Sequence, residues 1–400
     1  MSIKNDFPIF ANNPWLVYLD NAATTLKPKH VIDRVSTYLE NDYANIHRWA
    51  YSLSERSEEL YHLSKQTVAK AIWGKTREII YTYNSTYAFN ILASSLAKSG
   101  FLKKWDKILV SISEHHANIV PWLILKDEIW IEIDYVNITP EYDIDFEDFQ
   151  KKYDDKVKLV SFTRASNVSW TVFDLHRLSK LFRPETLFAV DASQAIPNFK
   201  IDINEIRADF VAFTWHKIMA QTWIWVLWIK TDHLKKLTPA IWWGWSIVEV
   251  HKQDYSSISW AEWFEIGTPN LVGAVSLLWA FEYIEKIWWY DFVQSQEKKL
   301  TKYALDKFAQ IKDKVTLVWK TTPENRIWVF SFVLQKQIPA IRIWELLAER
   351  WVCVRCWWHC AHPFLDEIWY HNWTCRMSLY IYNDEKDIDA FFESLEEIIK

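Results

Sequence analysis

Two neighbouring stretches, Leu187-Phe-Ala-Val-Asp-Ala-Ser-Gln194 and Asp209-Phe-Val-Ala-Phe-Thr-Trp-His-Lys217, decide the fold. Each is a short apolar run carrying chemistry at its carboxyl end: Asp191 and Gln194 on the first, Thr214, His216 and Lys217 on the second. Continuous apolar runs of this length read as strands buried on both faces, the habit of a parallel sheet.

The same rhythm extends outward. Further β-branched runs mark strands near 78–82, 107–112, 130–135, 157–163 and 224–229. Helical periodicity marks 29–41, 54–72, 85–98, 270–286, 290–311, 339–350 and 385–399. Strands and helices alternate through the first two-thirds, which is the pattern of βαβ units in an α/β fold with a mostly parallel central sheet. The expected organisation is a large domain over 18–280. A smaller α+β domain is expected from 1–17 with 281–400.

Composition narrows the function. A net charge of −5 over 400 residues leaves no electrostatic footprint for nucleic acid. No apolar run is long enough to span a bilayer, and the first residues lack the charged and apolar regions of a secretory signal. The chain is therefore expected in the cytoplasm. Its four cysteines, Cys353, Cys356, Cys360 and Cys375, are expected to be reduced thiols rather than a disulfide framework.

One count is out of line. Ordinary composition predicts about 7% glycine, roughly 28 residues here, but the chain has 5 glycines and 27 tryptophans. The tryptophans stand where small, permissive residues belong. Trp105 sits in the turn Lys-Lys-Trp-Asp-Lys, Trp351 follows a helical stretch where a C-cap glycine is expected, and pairs occur at 242–243, 288–289 and 357–358. The expectation is that most are glycines in the organism, from a UGA codon read there as glycine and translated here as tryptophan. Trp122 is expected to be a genuine tryptophan. An indole at Trp215 is expected to intrude on the site around Lys217.

Chemistry gathers where the strands end. Ligands of open α/β sheets bind beyond the carboxyl ends of the strands, where Asp191 and Lys217 are delivered together. That pair suits pyridoxal phosphate: a lysine forms a Schiff base with it, and an acid keeps the pyridine nitrogen protonated so the ring can accept electrons. The commoner meaning of a strand-end Asp or Lys is a solvated or paired surface charge.

An ordered set of segments goes further: Tyr18-Leu-Asp-Asn-Ala-Ala-Thr-Thr25, Ala44-Asn-Ile-His-Arg48, Glu114-His-His-Ala-Asn-Ile-Val-Pro-Trp122, Ser166-Asn-Val168, Val190-Asp-Ala-Ser-Gln194, His216-Lys217, Phe264-Glu-Ile-Gly-Thr-Pro-Asn270 and Arg355-Cys-Trp-Trp-His-Cys-Ala-His-Pro363. Together they resemble the SUF-like (group II) cysteine desulfurases of the class V aminotransferase family, which are fold-type I pyridoxal-phosphate enzymes. The resemblance runs from Leu19 to the final helix, and Trp49, Trp170, Trp215, Trp223, Trp225, Trp357 and Trp358 fall where that family carries glycine or another small residue. It implies that Lys217 bears the cofactor, Asp191 faces the ring nitrogen and Gln194 bonds the ring hydroxyl. His115 would stack on the ring and move protons, with Asn167 beside it. Ser85, Thr86, Thr214 and His216 would cradle the phosphate, an anion site of helix-start type, and Thr268 would reach the partner's phosphate in a homodimer. Cys360 is the implied nucleophile, with Arg355 and His359 near enough in sequence to lend positive charge to its thiolate. Arg376 is the implied clamp on the substrate carboxylate, with Arg355, His47 and Asn21 on the substrate side.

The implied reaction takes L-cysteine to L-alanine, with a persulfide on Cys360 passed to a SUF-type acceptor protein for iron–sulfur cluster assembly. A selenocysteine lyase or aminotransferase, or a non-catalytic sulfur-carrier scaffold, are the alternatives. No metal is expected, because Cys356, His359, Cys360 and His362 lie too close together for tetrahedral closure. Departures from the family pattern occur at Asn84, Tyr87, Arg164 and Met219-Ala-Gln221.

Overall fold

The structure, a computed structural model, describes residues 3–47, 51–241, 247–257, 261–287, 289–318, 321–335, 338–368 and 373–400. Arg48, Trp49, the pair 242–243 and Trp288, singled out above, lie outside these.

Seven strands build the central sheet: β1 Ile79–Thr82, β2 Lys107–Ser111, β3 Glu132–Val136, β4 Val157–Thr163, β5 Leu187–Asp191, β6 Phe210–Thr214 and β7 Trp225–Ile229, in the order β1-β7-β6-β5-β4-β2-β3. Only β7 runs antiparallel to its neighbours; the other adjacent pairs are parallel. β5 and β6 are buried along their whole length, which explains their uninterrupted apolar sequences. The mixed α/β architecture with a mostly parallel sheet agrees with the reading from sequence.

Because β1, β2, β4, β5 and β6 point the same way, the loops after them open on one edge of the sheet. Ser85 begins the helix Ser85–Lys98 after β1, His115 follows β2, and Asp191 and Thr214 end β5 and β6. The helix is capped by Asn84, whose side chain accepts from the Tyr87 amide at 2.7 Å.

A second, wholly antiparallel sheet of four strands, β8 Val315–Leu317, β9 Val329–Leu334, β10 Arg355–Trp357 and β11 Thr374–Ser378, has the order β8-β9-β11-β10. Helix Glu385–Ile399 adjoins it, started by a capping box between Asp384 and Asp387. The amino-terminal strand Val17–Tyr18 pairs with Val352–Cys353. Asp20 forms a bridge to Ser378, so the chain's start is tied to the sheet that carries Arg376. Among the described residues, no helix is long and apolar enough to cross a membrane.

Candidate active site

At the carboxyl edge of the sheet Ser85, His115, Asn167, Asp191, Gln194 and Lys217 line one small cavity of about 40 Å³, together with Thr163 and Ser193. A larger cleft between Trp105 and Trp130 lies at the amino ends of β2 and β3, on the opposite edge, and holds none of these groups.

Burial dominates the electrostatics. It lowers Lys217 from its usual 10.5 to about 8 against the opposing pull of Asp191. It also raises the Asp191 carboxyl, partly offset by Ser193 and Lys217; the Ser193 amide donates to Asp191 Oδ1 at 2.8 Å. His115 is lowered to about 3 by burial and then by Lys217. Its Nδ1 accepts from the Ala117 amide at 3.1 Å, so the neutral ring carries its proton on Nε2. A neutral imidazole and a lysine shifted towards neutrality are the species that acid–base chemistry at neutral pH requires.

The residues fit pyridoxal phosphate. Thr214 Oγ1 and His216 Nδ1 are buried without a hydrogen-bond partner, a costly condition for polar groups unless a ligand satisfies them. Gln194, on the cavity wall, donates Nε2 to Ala22 O at 2.9 Å. Thr86 and Thr268 are exposed, and neither they nor Thr214 and His216 line the cavity. His47 is engaged with Glu58 at 3.0 Å. Asn21, expected on the substrate side, instead uses its amide on Ser378 O, Asn383 Oδ1 and the Tyr382 hydroxyl.

The expected intrusion of Trp215 does not occur. Its indole turns into the core against Phe213 and Phe281, at ring separations of 5.2 and 4.8 Å, and leaves its Nε1 buried and unpartnered. Trp225 packs beside His216 instead, 4.7 Å between ring centres.

Cys360 lies after β10 with its neighbour His359, at φ of 57° and 50°. Two successive non-glycine residues in the left-handed region cost on the order of 1–3 kcal/mol each and persist only where surroundings hold them. Asn167 Nδ2 donates to His359 O at 2.7 Å, and His359 Nε2 lies 3.0 Å from Thr374 Oγ1. His359 is buried and held well below its usual pKa, so it lends the thiol no positive charge, contrary to expectation. Positive charge comes from arginine: Arg376 is buried yet lowered only to about 10, and the Cys360 sulfur is among the groups acting on it. Burial and Asp20 push the Cys353 thiol up, which disfavours it as a nucleophile. Cys356 and Cys375 face each other on β10 and β11 and form a disulfide, where reduced thiols were expected.

Sequence reasoning assigned no role to Asp20. Its Oδ2 accepts from Arg355 Nε and Nη2 at 3.2 Å each, and its Oδ1 from Arg376 Nη2 at 3.5 Å. Arg376 Nη1 donates to Asn167 O at 3.1 Å, and its Nε is buried without a partner. A buried guanidinium with a spare donor is suited to a carboxylate.

Residues 17–391 match the aminotransferase class V family, and the chain belongs to it. Over 408 residues the chain is 33% identical to a probable cysteine desulfurase of Streptomyces coelicolor, covering 99% of this chain and 96% of that one. The structure superposes on the apo cysteine desulfurase of Thermococcus onnurineus with a TM-score of 0.93 at 29% identity, covering 99% and 97% of the two chains. It also matches an Escherichia coli cysteine desulfurase in its S-sulfonic acid form, with a TM-score of 0.89 at 26% identity and 99% and 98% coverage.

Proposed function

We propose that this protein removes sulfur from L-cysteine, releasing L-alanine and holding the sulfur as a persulfide on Cys360. The sulfur then passes to a SUF-type acceptor protein for iron–sulfur cluster assembly, from a cytoplasmic homodimer. The observation that carries the reading is the convergence of Lys217, Asp191 and His115 on one cavity, with the strained Cys360 loop tied to it through Asn167. We take 18–280 as the cofactor domain, and 1–17 with 281–400 as the domain bearing the cysteine loop.

Pyridoxal 5'-phosphate is the cofactor, and when bound it supplies an electron sink for the substrate carbon. Lys217 holds it covalently and afterwards moves protons at the substrate. The buried Asp191 carboxylate would hold a proton on the ring nitrogen, while Thr214, His216 and Ser85 would offer donors to the phosphate. Arg376 orients the substrate carboxylate. The Cys360 thiolate attacks the substrate sulfur: the S–S bond forms, the C–S bond breaks, and the electron pair left on carbon takes up a proton to give alanine. Incubation with L-cysteine tests this: alanine should form without any added keto acid. A requirement for a keto acid acceptor would mark an aminotransferase, and turnover restricted to L-selenocysteine a lyase.

We also propose that most of the tryptophans are glycines in the organism. Six of the thirteen non-glycine residues with positive φ among the described residues are tryptophans: Trp73, Trp105, Trp130, Trp170, Trp223 and Trp351. Trp130 caps the helix Val120–Ile129 in the left-handed conformation, and Trp351 follows the helix Ala340–Ala348; glycine is the usual residue at such ends. Trp122 differs, being buried with Nε1 donating to Asn118 Oδ1 at 3.0 Å. Trp228 resembles it: it lies inside β7, where glycine is disfavoured, and donates to Glu78 at 2.9 Å. The coding nucleotide sequence tests the proposal, which predicts UGA at the positive-φ positions and UGG at Trp122.

A further inference from the structure

The loop that presents Cys360 is strained at His359 and Cys360, so something must hold it. Asn167 and Thr374 hold the His359 side. The Cys360 side is held from the loop after β2. The backbone amide of His116 donates to Cys360 O at 2.8 Å, and His116 Nε2 accepts from the His362 amide at 3.2 Å. His116 therefore grips the chain at Cys360 and again two residues beyond it. The ring of His362 stacks on that of His116 at 4.8 Å and 20°, with its Nδ1 3.0 Å from the same Nε2. Trp358 also stacks on His362, at 4.6 Å. Because Nε2 accepts the His362 amide, the His116 ring is neutral with its proton on Nδ1, and the half-buried site, together with His362, lowers its tendency to protonate.

We infer that His116 is a positioning residue for Cys360: its Nε2 latches the His362 amide and keeps the sulfur-bearing turn in its strained, presented conformation. The proposal rests on the desulfurase reading, since it concerns delivery of that sulfur. His115 and His116 then divide their work, the first facing the cofactor cavity and the second the cysteine loop. The element that positions one reactant also positions the other.

The test compares His116→Asn, whose amide falls short of the His362 N–H, with His116→Gln, whose carbonyl reaches the place of Nε2. His362→Ala serves as a control, because it keeps the backbone donor. In the holoenzyme, the rate of iodoacetamide alkylation at Cys360 is read from peptide mass, alongside cofactor absorbance, kcat and KM for L-cysteine. His116→Asn should retain the absorbance and KM, alkylate several-fold faster, and lose on the order of ten- to a hundred-fold in kcat, as a misplaced reacting group does. His116→Gln should recover most of both, and His362→Ala should stay near the parent. Unchanged alkylation and kcat in His116→Asn, or equal impairment of the Asn and Gln variants, would overturn the latch. Alkylation needs no turnover, so it judges the latch even where the parent makes no alanine, a result that would overturn the desulfurase reading alone.

Discussion

On the proposed reading Lys217 and Cys360 carry separable parts of the chemistry, and single substitutions should separate them. Lys217→Ala removes the amine proposed to hold the cofactor, so the visible absorbance of the linked cofactor should vanish together with turnover. Cys360→Ala should keep that absorbance and lose sulfur transfer; persistence of transfer would move the nucleophile to another thiol. His115→Ala should cost about 10²–10⁴-fold in kcat, the range for a general acid–base group. The lowered Lys217, at about 8, predicts a pH dependence. Near pH 7.5 it keeps on the order of a hundred-fold more neutral amine than an ordinary lysine. The rate at which apoprotein gains the visible absorbance from added pyridoxal phosphate should climb through about pH 8 and then level off. A midpoint near the ordinary lysine value of about 10.4 would show that burial does not tune this amine. The strand-end residues of this site were legible because each lies beside an apolar run that betrays its strand. Asp20 and the His116–His362 contact were not, because residues so far apart in sequence meet only through tertiary packing.

At the scale of elements, the long amphipathic helices Lys29–Asn41 and Ser85–Lys98 and the buried strands were readable to within a residue or two. Helix Val120–Ile129 was missed because its apolar and charged residues fall in blocks, six apolar residues and then Lys126-Asp-Glu128, which hides the helical period. The strands of the second sheet are three to six residues long, and their partners lie far along the chain, so their register and the Cys356–Cys375 bridge could not be read from spacing. Element ends also carry the most direct stability test of the tryptophan proposal. Trp73, Trp105, Trp130, Trp223 and Trp351 combine positive φ with more than half-exposed side chains, so their indoles gain little from packing. Replacing each with glycine should stabilise the chain by about 1 kcal/mol through relief of left-handed strain. Trp122→Gly should destabilise it by roughly 3–5 kcal/mol, as loss of a large buried side chain does. Denaturant midpoints at constant m-value read both signs, and destabilisation by all five exposed changes would count against the recoding.

For the whole molecule, the two proposals meet in one experiment. Unpartnered buried indoles such as Trp215 and Trp279 add to the left-handed strain, against a total stability of only about 5–15 kcal/mol. A chain with glycine at every tryptophan except Trp122, made with and without Trp228, should therefore express better and bind more cofactor than the literal chain. The reverse order would end the recoding proposal while leaving the site's chemistry untouched. On this reading the architecture assembles that site from two sheets: the mostly parallel one supplies the edge proposed to hold the cofactor, and the antiparallel one brings Arg376 and the loop of Cys360 to it. The central claim is that these two contributions cooperate to move sulfur from L-cysteine onto Cys360. It is tested most directly by giving the cofactor-loaded protein L-cysteine without an acceptor, quantifying alanine, and mapping the added sulfur by peptide mass. The account predicts about one alanine per subunit in the first turnover, matched by a single added sulfur on the Cys360 peptide. Alanine formed with no sulfur on Cys360, or with the sulfur on Cys353, would contradict it.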